Sequence, residues 1–282
     1  LYSVIATLRI NLHHTKEYGM NRDILRQVSV ILITIITLIV NGAATSLPLN
    51  NVTTQQLSDS YLVRFVPAGY VFAVWGIIYI GFTMFTIWQA LPANRENPRL
   101  RLIGWWYVVG SVANALWLVF WHYYMVEVTI VMMLTLLATL IYTVSVLNKQ
   151  KASTLAESIC VDLPFHIYIG WISVATVVNV TVLLNKWGFT DDALGLWWAP
   201  ILTFVAAGLA ISQRWLRRDT AYGMVIAWAL YGVGVKQTQY GASGMLPDAP
   251  TLTALTTNVA YGLLGVLVVW WVIDMVNRRR TA

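Results

Sequence analysis

A run of 25 residues, Pro67 to Leu91, contains one strongly polar side chain, Gln89, near its far end. At about 1.5 Å of rise per residue, such a run coiled as a helix is long enough to cross a hydrocarbon core of roughly 30 Å with some tilt. A backbone in that core must satisfy its own hydrogen bonds, so a membrane-spanning helix is the structure this stretch predicts. Pro67 fits the first turn of a helix, where its missing N–H costs nothing. Trp75, Tyr79 and Trp88 place large amphipathic rings along the run.

The rest of the chain repeats the theme. Hydrophobic residues make up 58% of it and charged ones 11%, which is too apolar for an ordinary soluble domain. Further apolar spans are expected at Arg26 to Leu47, Leu102 to Trp121, Glu127 to Leu147, Ile159 to Leu184, Ala193 to Gln213, Thr220 to Val235 and Leu252 to Met275. The basic flank and small residues of the first span mimic a cleaved leader, but we read it as an anchored helix. The seventh is short and rich in glycine. The expected fold is therefore an all-α integral membrane protein of about eight transmembrane helices. Residues 1–25 form a polar N-terminal segment, with Met20 as an alternative start. Residues 48–66 form an outer loop long enough to fold back over a bundle.

Charge tests that count, because Lys and Arg concentrate in cytoplasmic loops. With both termini cytoplasmic, fifteen basic residues fall inside and three, Arg64, Lys186 and Lys236, fall outside. The net charge of +6 thus reports orientation, and nothing in its distribution suggests nucleic acid. The expected location is a bacterial inner (cytoplasmic) membrane. Many of the fourteen tryptophans sit where an aromatic belt would place them. Cys160, the single cysteine, excludes an intrachain disulfide and a cysteine metal site.

Pro67, Phe72, Val74, Trp75 and Tyr79 resemble the pattern that opens the second helix of the translocator proteins, the tryptophan-rich sensory (TspO/MBR) family. Asn114, Trp117 and Phe120, followed by Trp121 and His122, resemble the signature of its third helix. Pro164, Trp171, Ala175, Thr176, Asn179 and Asn185 resemble that of its fifth, although seven positions separate the proline from the tryptophan where simpler members have four. The resemblance covers residues 26–185. It implies a translocator-like five-helix bundle, with residues 186–282 adding three C-terminal helices and a basic tail. It also implies a ligand cavity near the long loop and helices one, two and five, in a family known for binding porphyrins, haem and sterols. The matching positions are Trp75, Asn114, Trp117, Trp171, Ala175 and Asn179. Tryptophan faces can stack on a flat ligand and a buried asparagine can bond a polar edge. The same residues can equally serve helix packing.

Among ionisable groups, Asp162 and His166 are four apart and would share a helical face, where His166 is a weak candidate ligand for a tetrapyrrole metal. His122 is a second, at an expected interface position. Lys236 is expected to snorkel and Asp274 to pair with Arg278 to Arg280. No Walker loop, nucleophile elbow, paired catalytic carboxylates or HExxH occurs, so no enzyme is expected. Two functions remain open. One is binding of a hydrophobic ligand, most readily a tetrapyrrole, for sensing, sequestration or transport, with no required cofactor. The other is an accessory subunit of a larger membrane complex, of a kind that includes pigment-containing assemblies. Partners under either reading are membrane lipids, a hydrophobic small molecule, further copies or other subunits.

Overall fold

The computed structural model describes residues 2–46, 49–189, 192–246 and 248–281, with side chains at 2–19, 45, 192–196 and 278–281 left aside. In chain order the helices are α1 (Tyr2–Ser46), the short α2 (Thr54–Asp59), α3 (Val74–Ala90), α4 (Pro98–His122) and α5 (Val126–Lys149). A single turn, α6 (Leu155–Glu157), passes through a π-helical turn (Ser158–Asp162) into α7 (Leu163–Lys186), and α8 (Asp192–Arg217), α9 (Thr220–Ala242) and α10 (Ala249–Thr281) follow. Among the described residues seven helices are long and apolar enough to cross a membrane. The expected seventh span, α9, is less apolar than these, yet at 23 residues it is longer than the sequence suggested.

Helices α1, α3, α7, α5 and α4 pack in that order into a closed ring, the five-helix bundle. Polar side chains join it from within. Gln89, the lone polar residue of the Pro67–Leu91 run, and Gln27 exchange amide bonds to each other's backbone carbonyls (2.6 and 3.2 Å), which ties α3 to α1. Thr34 joins Thr86 and Tyr107, each at 2.8 Å. In hydrocarbon such bonds fix helix register, because an unmade one has no water to replace it.

α9 packs on α7 at the outside of this ring, and α8 and α10 pack on α9. α9 is less apolar because it is enclosed: Lys236 and Gln237 are buried among its neighbours. The sequence placed Lys236 at the interface with its amine snorkelling. Instead its ammonium pairs with Asp59 at 2.6 Å and lies 5.1 Å from the Tyr240 ring centre, since α2 brings a carboxylate to it. Asp274 likewise pairs with Arg214 of α8 at 2.5 Å. The expected partners Arg278 to Arg280 lie outside the described side chains, as do His13, His14 and Lys16.

The entry to α3 also differs from expectation. Pro67 does not open the helix; a 3-10 turn (Gly69–Ala73) intervenes. The backbone is held there from outside, with Ala68 N–H donating to Gly232 O of α9 at 2.9 Å and Trp228 Nε1 to Val71 O at 3.3 Å. A Cβ at Gly232 would lie 2.1 Å from the Val71 Cγ2 atom, so only glycine allows this approach. Gly232→Ala is expected to cost about 1–3 kcal/mol through overpacking, measured by thermal unfolding in detergent. Gly262→Ala, where a Cβ meets nothing within 4 Å, serves as the control and should be neutral or stabilising.

Candidate functional site

The loop between α1 and α3 is a built lid. Thr53 and Gln56 form a reciprocal capping box that starts α2: Gln56 N–H donates to Thr53 Oγ1 (3.2 Å) and Thr53 N–H to Gln56 Oε1 (2.8 Å). Before it, Asn50 and Asn51 take left-handed backbone conformations, which asparagine tolerates better than most residues. Asn50 Nδ2 donates to His122 O at 2.9 Å, fastening the lid to the end of α4. Asp59 to Lys236 and Arg64 to Asp248 (2.9 Å) fasten its other half to α9 and to the turn before α10. Tyr61 lies within it, and burial pushes its phenol above the usual value while the Lys186 ammonium pulls it back.

Beneath the lid is a narrow, largely filled cavity inside the ring. Thr54 and Ser58 of α2 roof it, with Phe72, Trp75, Trp117, Trp121 and Trp171 among its walls. Trp75 is the hub. Its ring centre is 6.4 Å from Trp117 in a near-parallel arrangement (25°) and 6.2 Å from Trp171, edge to face (82°). Trp117 continues the stack to Trp121 at 5.9 Å, and Phe72 meets Trp171 edge-on at 5.7 Å. These offset and perpendicular arrangements suit ring quadrupoles. A second, larger space adjoins the first and shares Thr54, Phe72, Trp75 and Trp117 with it.

Five of the six positions singled out in the sequence, Trp75, Trp117, Trp171, Ala175 and Asn179, line the cavity. The small Ala175 leaves room on α7 between Trp171 and Asn179, which are a turn away on either side. Asn179 Oδ1 accepts from Trp117 Nε1 at 3.0 Å, and its Nδ2 donates to Ala175 O at 2.9 Å. Asn114 stands elsewhere. It is wholly buried and accepts from Asn41 Nδ2 at 2.9 Å, while Asn41 Oδ1 accepts from the Tyr79 hydroxyl at 2.8 Å. That chain links α4, α1 and α3. Trp171 differs from the other wall tryptophan bonded to asparagine: its buried indole N–H has no acceptor among the described residues.

Neither histidine lines these spaces. His122 is fully buried under the lid rather than at an interface, with Nδ1 against Leu118 O (2.8 Å) and Nε2 3.4 Å from Thr54 Oγ1. Its burial follows from α2 lying over the end of α4. His166 bonds Asp219, the residue that caps α9, rather than Asp162. Asp162 is taken by Arg99, which also binds Glu157 at 2.7 Å, so helical spacing alone named the wrong pair.

Sequence reasoning named Phe72 and Trp121 within the motifs without assigning them to the cavity, and it did not name Asn41. Trp121 lies four residues after Trp117 and so on the same helical face, and Asn41 is a polar interruption deep in an apolar run; both signals were readable. Thr54 and Ser58 carried none, because their place depends on how the loop folds back.

A family model described as TSPO-like protein matches residues 27–273. The chain belongs to that family. The match runs past the five-helix ring through α8 and α9 into α10, so the helices that hold the lid are inside the matched region of this TSPO-like chain. No curated protein and no solved structure matches it. As a TSPO-like protein with multiple apolar helices it is an integral membrane protein whose outward faces contact lipid.

Proposed function

We propose that this TSPO-like protein binds a flat hydrophobic ligand, a tetrapyrrole, in the aromatic cavity beneath the lid, for sensing, sequestration or transport. The observation that carries the reading is the Trp171 wall: a tryptophan beside Trp75 whose buried N–H lacks an acceptor. An unmade buried hydrogen bond costs about 1–3 kcal/mol, and a carboxylate or carbonyl edge of a ligand would complete it. Stacking against the rings supplies the apolar part of the affinity. The residues at hand fit a ring held by its faces and edges rather than by its metal, since among the described residues no histidine lines the cavity, and His122 and His166 are engaged with Leu118 and Asp219. The chemistry asked of the protein is binding alone.

Titrating the purified protein with protoporphyrin IX, followed by tryptophan quenching and porphyrin absorbance, tests the reading. Saturable quenching is expected. Trp171→Phe keeps a ring and removes the donor, and is expected to weaken binding by roughly five- to tenfold. Quenching that never saturates, or affinity unchanged in Trp171→Phe and in Trp75→Leu alike, would reject it.

A further inference from the structure

Apart from the exposed Arg22 on α1, the described basic residues at the end of the molecule opposite the lid divide into two groups. Arg26, Arg95, Arg99, Arg101 and Arg214 are engaged with carboxylates, carbonyls or amides of neighbouring helices. Lys149, Lys151, Arg217 and Arg218 are exposed and have no acidic partner among the described residues. These four share one place. They line an open concavity, with Asn148 and Leu216, where the end of α5 faces the end of α8.

Four cations around one hollow repel one another. The two helix C-termini there offset roughly half a charge each, which leaves most of the positive charge unbalanced. Arg218 adds to this from a left-handed backbone conformation (φ 57°), a geometry that glycine or asparagine adopts at less cost. Asn148, which also lines the hollow, has a buried amide nitrogen with no acceptor among the described residues. Beside the cations Trp215 and Leu216 are 72% and 76% exposed, which puts an amphipathic ring and an aliphatic side chain at the same level. Tryptophan favours the headgroup boundary of a bilayer. An anion that meets both features carries its charge at that boundary and its bulk in hydrocarbon.

We infer that this hollow is a binding site for the phosphate headgroup of an anionic membrane lipid, bridging the five-helix ring and the added helices. The two guanidinium groups suit phosphate oxygens by paired N–H donors, and the two lysines add point charges. The lipid would neutralise the repulsion and hold α5 to α8, which the described packing leaves as neighbours across the hollow.

The full chain, reconstituted in phosphatidylcholine bilayers, is examined with spin-labelled phosphatidylglycerol and spin-labelled phosphatidylcholine at trace levels. The motionally restricted fraction of each reports its retention. The protein is expected to retain phosphatidylglycerol several-fold more strongly, since each basic side chain near an anionic headgroup contributes up to about fivefold. Lys149→Gln with Lys151→Gln, and separately Arg217→Gln with Arg218→Gln, are each expected to remove most of that preference. Arg22→Gln, an exposed cation elsewhere on α1, should leave it unchanged. Equal retention of the two lipids by the unaltered chain would overturn the inference, as would preference surviving in both paired variants. So would abolition by millimolar inorganic phosphate at constant ionic strength, which would assign the hollow to a free anion. Unchanged thermal unfolding of the variants separates lost lipid contact from lost fold.

Discussion

Replacing Arg99 with glutamine is expected to lower stability by about 3–5 kcal/mol, because it strands buried carboxylates. Arg99 Nη1 binds Glu157 Oε1 at 2.7 Å with both side chains almost completely buried, and Nη2 binds Asp162. Around this centre Asn97 Nδ2 and Ser153 N–H also donate to Glu157, at 3.1 and 2.8 Å. The cluster joins the start of α4 to the turn that leads into α7, closing the bundle at the end away from the lid. Glutamine cannot supply the charge, and the carboxylates would have to take up protons or draw in water. Thermal unfolding in detergent checks the size of the loss, with Arg22→Gln expected within about 0.5 kcal/mol of the unaltered protein. The triple change Arg99→Met, Glu157→Gln and Asp162→Asn removes the charges together and should recover much of the loss. A loss below about 1 kcal/mol in Arg99→Gln would mean that water reaches the carboxylates.

Truncation of Trp117 to alanine should be comparably severe, about 3–5 kcal/mol for a buried aromatic side chain. Its ring lies between Trp75 and Trp121 in a near-parallel stack, and its N–H holds Asn179 across the bundle. Alanine would merge the space under the lid with its neighbour, since Trp117 is part of the lining of both. Trp117→Phe keeps one aromatic ring while dropping the hydrogen bond and the smaller ring of the indole, for an expected loss of about 1–3 kcal/mol. Unfolding midpoints of the pair, read beside their protoporphyrin IX titrations, separate packing from hydrogen bonding. Equal losses in the two variants would show that the indole N–H, not the volume of the ring, is what matters.

Both residues show the division of labour in this molecule. The ion cluster closes one end of the ring, and the tryptophan stack with its lid closes the other. The lid is secured from outside the ring by α9 and by the turn before α10, through Lys236, Gly232 and Asp248. The added helices are therefore part of how the cavity is covered, which a view of them as an appendage misses.

The sequence by itself determined the class of fold and several side chains of the cavity wall. Apolar runs of about 20 residues have few alternatives to a spanning helix, because every backbone polar group must be bonded internally in hydrocarbon. Tryptophans at helical spacing then mark one face of each helix; Trp75, Trp117, Trp171, Ala175 and Asn179 line one space, while Asn114 packs against Asn41 apart from it. What tertiary structure alone decided were the partners of the buried charges and the path of the lid. Asp162 and His166 are neighbours in sequence terms, yet Arg99 and Asp219 reach them from α4 and from the start of α9. Lys236 looked like a snorkelling residue until α2 brought Asp59 to it, and Pro67 looked like a helix start until Gly232 of α9 held the adjoining backbone in an open turn. Local spacing sets which face a side chain occupies, since that depends only on helical pitch. Which oppositely charged group lies across the gap depends on how distant helices pack, and in a medium without water to fill an unmade bond that packing decides where every buried charge must go.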